Sequence, residues 1–382
     1  MTFSISIDTL TLIVSGILLL MALVTPLLSP HFRRLRHDAP QSAIDLPRVT
    51  VLLVSNGDHV ALDEHLPIYL TQDYAPGYDV VVVSEKADAE TDNVLKRYAN
   101  NERLYSTFVP ESSRYMSKNK LAITLGVKAA KNDWIVLTDP RCKPMGSDWL
   151  SSLSQSLADH DSIVLGYVNY SEESKPYHRF EQMHTALYLL RAAQRGEAYR
   201  TNCPLVAFKK KDFMENNGFL EHLRYSIGEY DFLVNKYGKL GDSEVAISPQ
   251  TWLTEDPIHE KTWQNRQVYY EETKKHLEGG MGVRTLFLTD QMMLHLNYIL
   301  EFAAMAFAGL TSRWVLLGVA LLSLVITCLL RTLNGKRAMK EMGVSIPSWK
   351  VVPYEVSMLW RNMMTRMRYE YADKNDFISH KV

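Results

Sequence analysis

From residue 9 to residue 30 the chain carries no charged side chain, and residues 10–28 are dense in Leu, Ile and Val. A helix rising 1.5 Å per residue over such a run is long enough to cross a bilayer, and core helices of soluble proteins seldom stay uncharged so long. Arg33, Arg34 and Arg36 follow the run and no basic residue precedes it, the reverse of a signal peptide. Because positive charge is retained on the cytosolic side, residues 1–8 are placed outside and residue 31 onward in the cytosol. Two further apolar runs, 293–311 and 314–330, separated by a short connection at 309–313, predict a membrane hairpin. The first contains His295 and Glu301, so it is expected to lie in the interface or to face a protein-lined cavity. Arg331, Lys336, Arg337 and Lys340 then return the chain to the cytosolic side, leaving 31–290 and the tail 331–382 together. In that tail Val356, Leu359, Trp360, Met363 and Met367 recur at helical spacing, with Arg361, Arg366 and Arg368 off the stripe. A basic amphipathic helix of this kind suits an anionic membrane surface or packs on the soluble domain, and both readings stand.

The charge balance, 42 Lys+Arg against 43 Asp+Glu, excludes a general nucleic-acid binder. Cys142, Cys203 and Cys328 match neither a disulfide framework nor a zinc motif and read as free thiols in a reducing compartment. Between the membrane segments strand-like and helix-like runs alternate: Val49–Val54, a helix at 61–70, a strand at 80–83, helices at 90–98 and 120–130, and strands at 134–137 and 162–168. This predicts an α/β domain over about 40–285, a mostly parallel sheet flanked by helices. Asp139 directly follows a buried-looking strand, where ligands of open α/β sheets bind. Neither GxGxxG nor GxxxxGK[ST] occurs, which removes the main support for a dinucleotide oxidoreductase or a P-loop enzyme.

Several pieces fall in a telling order: Val49–Val54 with Asn56 and Asp58, His65-Leu66-Pro67 before Gln72-Asp73-Tyr74, and Val109-Pro110-Glu111-Ser112-Ser113-Arg114-Tyr115 running into 117–130. They continue through 134–144, Trp149-Leu150, 207–210, Gly218-Phe219, 228–235 and Lys261-Thr262-Trp263. The set resembles the membrane-anchored, inverting family-two glycosyltransferases of the Bacteroidota type, with their GT-A fold. The resemblance implies a nucleotide-sugar donor, a saccharide or lipid-linked acceptor, polysaccharide biosynthesis at a bacterial inner membrane, partner membrane enzymes and a divalent cation, Mg²⁺ or Mn²⁺.

By the same resemblance Glu85 lies near the base and Lys120 near the donor. The family's Asp-x-Asp is matched by Asp139-Pro140-Arg141, so a cation replaces the second, metal-holding acid, and Asp139 and His259 are the remaining metal candidates. Arg141 contacts the diphosphate through its planar fork, pairs with Asp139 to hold the loop, or marks a decayed site. In the acidic motif at 227–233, Glu229 aligns with the acceptor base and Asp231 with the next acid; either carboxylate suits that role, and both suit an ordinary helix N-terminus. Trp263 stacks on the acceptor sugar or belongs to the core, and the stretch after Gln264 lacks the family's basic pair. Two functions follow: sugar transfer, or a catalytically degenerate member that binds a nucleotide sugar or scaffolds a membrane glycan-synthesis complex.

Overall fold

The computed structural model describes residues 8–36, 45–110, 117–158, 163–239 and 243–377. The expected motif at 111–116, residues 1–7 and the start of the strand expected at 162 lie outside these. In chain order the elements begin with α1 (Thr9–Leu28), β1 (Val49–Val54), α2 (His59–Leu70), β2 (Tyr78–Glu85), α3 (Ala89–Arg97), β3 (Leu104–Val109), α4 (Lys118–Ala129) and β4 (Trp134–Thr138). Next come β5 (Cys142–Pro144), α5 (Trp149–Gln155), β6 (Ile163–Gly166), β7 (Val168–Tyr170), α6 (Pro176–Ala193), β8 (Leu205–Lys209) and α7 (Lys210–Glu215). The chain ends with α8 (Glu229–Tyr237), β9 (Ser243–Ala246), β10 (Leu253–Glu255), α9 (Glu260–Thr273), α10 (Met281–Leu310), α11 (Trp314–Glu341) and α12 (Val351–Tyr371). They form two compact units, one of residues 1–35 and 281–363, the other of residues 36–280 and 364–382.

The larger unit is mixed α/β. Its seven-stranded sheet has the order β3-β2-β1-β4-β8-β6-β9. β3, β2, β1 and β4 run parallel, with Val51 opposite Val80 and Val136. Strands covered on both faces need apolar residues throughout, which is why VTVLLV and WIVLT lack alternation. Gly126 of α4 permits the close approach to β1, since a Cβ there would meet a Leu52 methyl at 2.2 Å. β8 runs antiparallel to both β4 and β6. The strand expected at 162–168 is two strands, β6 in the large sheet and β7 in a small sheet ordered β5-β10-β7. α6 is buried on almost every side.

In the other unit α1, α10 and α11 are long and apolar enough to cross a membrane. They pack through Leu18, Ala304, Ala308, Leu316 and Ala320, where small residues let the backbones approach. α10 begins at Met281 rather than 293, and α11 continues to Glu341 rather than ending at 330. The charges that these extra turns bury, Asp290 and Arg331, pair internally. Arg331 is fully buried against Asp290 at 2.6 Å and Glu355 at 3.1 Å and donates to the Thr25 carbonyl at 2.9 Å. Glu301 also faces the protein: its Oε1 accepts from Asn297 (3.0 Å) and Thr327 (3.2 Å), while Ser323 Oγ lies 2.9 Å from both that oxygen and the Leu18 carbonyl. His295 places Nδ1 2.7 Å from the Gln291 carbonyl oxygen of its own helix.

Candidate functional site

The carboxyl ends of β1 and β4, the start of α8 and one face of α9 enclose a cavity of about 410 Å³. Asp58, Asp139, Arg141, Glu229, Asp231 and Arg266 are among its lining residues.

β4 delivers Asp139, and the turn into β5 folds Arg141 back onto it. Asp139 Oδ1 accepts from the Arg141 backbone N at 2.9 Å and from its Nε at 3.0 Å, and Oδ2 accepts from Nη2 at 2.8 Å. Asp58 and Glu255 lie 3.7 and 3.9 Å from the same guanidinium. Glu255, at the end of β10, is itself held by both Nη1, at 3.0 Å, and Nη2 of Arg266. Two guanidiniums and three carboxylates therefore form one charged network, of which Asp58, Asp139, Arg141 and Arg266 reach the cavity. Burial pushes the Asp139 carboxyl up, but the bonds from Arg141 together outweigh it and hold the group below the usual carboxylate range. Burial, helped by the charge of Asp139, raises Asp58. Burial opposes charge on Arg141, yet Asp139 more than compensates, so the guanidinium is firmly cationic.

Asp139 and Glu255 are not free to hold a divalent cation in this arrangement. Such an ion needs several oxygen ligands, whereas both oxygens of Asp139 and both of Glu255 are occupied by arginine and the second acid of the Asp-x-Asp is absent. Of the three readings of Arg141, the pairing with Asp139 is present. It uses Nε and Nη2 and leaves the Nη1 edge for a ligand.

Across the cavity, Gly228 starts α8 with φ of 96°, and a Cβ there would come within 2.7 Å of Thr273. This turn puts Glu229 and Asp231 in the first turn of α8, where the helix dipole favours negative charge. Glu229 Oε1 accepts from Asn119 at 3.3 Å. Asp231 Oδ1 accepts from the Thr201 backbone N at 3.2 Å and lies 3.9 Å from Arg200 Nε. Burial raises the Asp231 carboxyl to about 6 against the pull of Arg200. The Arg200 guanidinium in turn sits over the Tyr270 ring, 3.6 Å from its centroid.

Other expected site residues lie elsewhere. Lys120 is fully buried and donates to the carbonyls of Tyr225 at 2.6 Å and Ile227 at 3.1 Å, so it braces the loop before Gly228 instead of reaching a donor. Burial lowers its ammonium to about 8 against the pull of Glu229. Glu85 ends β2 in an ion pair with Lys118 and does not line the cavity. Trp263 is corrected to a core residue, 5% exposed and stacked on His178 with ring centroids 4.4 Å apart, so an acceptor sugar has no access to that face. His259 lines a separate cavity of about 310 Å³ next to Arg141, Asp58 and Glu255.

The sequence reading passed over Arg200, Glu255 and Arg266. Arg266 had a usable signal: with Tyr269, Tyr270 and Thr273 it keeps the i, i+3, i+4, i+7 spacing of one helix face, and all four line the cavity. Arg200 and Glu255 have no local pattern, since long-range folding alone brings them behind the lining residues Asp231, Arg141 and Arg266.

The fold is shared with a solved mannosyltransferase, PcManGT from Pyrobaculum calidifontis, in complex with GDP-Man and Mn²⁺. The two agree with a TM-score of 0.54 at 17% identity over 92% of this chain and 99% of that one. S. aureus TarS 1–349 in complex with UDP-GlcNAc is more distant, with a TM-score of 0.44 and 12% identity over 85% of this chain and 92% of that one. No curated protein sequence matches the chain. The resemblance read from the sequence holds at the level of a GT-A-type glycosyltransferase. The family profile that fits the residues is glycosyl transferase family 21, matched from residue 14 to residue 370, across both units and the whole cavity, and the chain belongs to that family.

Proposed function

We propose that this glycosyltransferase moves a sugar from a nucleoside diphosphate donor to a lipid-linked or saccharide acceptor with inversion at the anomeric carbon. The observation that carries the reading is the opposition, across one cavity, of a fixed cation pair, Arg141 and Arg266, to the acids Glu229 and Asp231. The acceptor oxygen forms its bond to the anomeric carbon as the bond to the diphosphate oxygen breaks. The acceptor proton passes to a carboxylate, and Asp231 is the better suited because its carboxyl sits at about 6, near working pH. The departing diphosphate takes the bonding electrons, and its charge meets Arg141 through the free Nη1 edge. The uracil, guanine or other base is left to the Asn56 side of the cavity.

On this reading Arg141 supplies electrostatics that an ion supplies in related sites. Calorimetry with nucleoside diphosphate donors tests it: binding persists in EDTA, Arg141→Ala weakens it, and Arg141→Asp makes it rise with Mn²⁺. Wild-type binding that vanishes in EDTA and returns with metal would overturn the assignment. The apolar helices and the basic residues after them support an inner-membrane enzyme with residues 36–280 and the tail in the cytosol. A reporter fused at residue 200 that reads as periplasmic refutes that orientation.

A further inference from the structure

α12 carries two opposed faces. Trp360, Met363, Met364, Met367 and Tyr371 follow the i, i+3, i+4, i+7, i+11 spacing of one helical stripe, and all are 50–87% exposed. At about 100° per residue, Arg361 and Arg368 border this stripe on one side, and Glu370 followed by Arg366 borders it on the other. The opposite face carries Tyr369, which is 2% exposed and whose hydroxyl bonds Glu272 and Lys275 near the end of α9. The Tyr369 ring meets Phe377 at 5.3 Å between centroids, and Phe377 meets Tyr269 of the cavity wall at 5.2 Å. The Phe377 carbonyl accepts from the backbone N of Ser226, two residues before Gly228.

We infer that the Trp360 to Tyr371 stripe docks on the anionic headgroup region of the bilayer, with the flanking arginines paired to lipid phosphates. The inference rests on the membrane reading of α11. Charge complementarity selects this occupant: an apolar strip flanked by three guanidiniums and one carboxylate suits a surface with an apolar interior and a negative rim. Reach agrees with it, because only residues 342–350 separate the end of α11 from the start of α12, about 30 Å even when fully extended.

The full chain, with Cys328→Ser as background, is reconstituted in vesicles of phosphatidylcholine with or without phosphatidylglycerol. Met364→Cys, Met367→Cys and, on another face, Asn362→Cys each carry an environment-sensitive fluorophore. Emission at 364 and 367 is expected to shift to the blue and to be quenched by spin-labelled acyl chains, more so with phosphatidylglycerol, whereas 362 responds to aqueous iodide. Replacing Arg361, Arg366 and Arg368 by Gln abolishes the phosphatidylglycerol gain. Equal iodide quenching at 362, 364 and 367 overturns the proposal, as does protection of 364 and 367 from both quenchers, which identifies a protein surface as the occupant. A chain that does not float with vesicles at all refutes the membrane reading itself, a separate outcome.

Discussion

Arg141 and Arg331 are held in nearly the same way and to opposite effect. Each guanidinium lies among carboxylates: Arg141 with Asp139, Asp58 and Glu255, and Arg331 with Asp290 and Glu355. The Arg331 side chain is 0% exposed and bonds two acids and a backbone carbonyl, whereas that of Arg141 is 30% exposed and keeps one edge toward a cavity. Composition does not distinguish a strut from a ligand site; access does. A sealed charge cluster holds helices in register, since removing one member strands the others in a low-dielectric interior. An open cluster offers its remaining valence to an anion.

The widest effect is expected on the open side. Asp231→Asn should cut turnover by about 10²–10⁴-fold with donor affinity nearly unchanged, because a base acts on the acceptor proton and not on the bound nucleotide. If Asp231 is the base, the wild-type rate should fall as pH drops through about 6, because the carboxylate then takes up the proton it must otherwise accept. A full rate in the variant returns the role to Glu229. On the sealed side, Arg331→Met takes the guanidinium away from Asp290 and from Glu355, which keeps Ser29 and His31, and should cost about 3–5 kcal/mol of stability. Arg141→Met, at a partly exposed pair, should cost about 1 kcal/mol or less while donor affinity drops. Equal losses in thermal unfolding would erase the contrast. The smallest effect on donor affinity is expected for Lys120→Met, which gives up two buried bonds to carbonyls and should cost about 1–3 kcal/mol of stability alone. Should that variant lose donor affinity as Arg141→Ala does, Lys120 belongs to the site after all.

Legibility in the sequence followed the same division between local and long-range causes. β1, β2, β4, α2, α3 and α4 stand out in the pattern because each satisfies its own periodicity and turn chemistry. α6 is hidden, for a helix buried all round has no polar face to mark its period. The reversal of β8 leaves no trace either, since a strand reads the same in both directions. Asp139, Arg141, Glu229 and Asp231 were found as neighbours in motifs and do line one cavity. Trp263 and Lys120 were misplaced because an aromatic ring or a lysine beside a motif has the same letter whether it points to ligand or to core. Arg266 joins the cavity wall, and Glu255 pairs with it from behind, only once α9 and the small sheet are in place.

The bonds from Ser323 and Arg331 to the backbone of α1 reach back 305 and 306 positions along the chain. At a synthesis rate of roughly 5–20 residues per second, the first helix therefore waits about 15–60 s for its partners. It can wait alone, with a mean hydropathy of 2.4; α10, at 1.4 and carrying Asp290 and Glu301, is far less suited to lipid by itself. The order of birth thus gives the self-sufficient helix first and the dependent one later, when α1 is already made, with α11, at 2.3, following it. A chain that stops before α11 leaves Glu301 without Ser323 and Thr327, the two hydroxyls of α11 that meet its carboxylate.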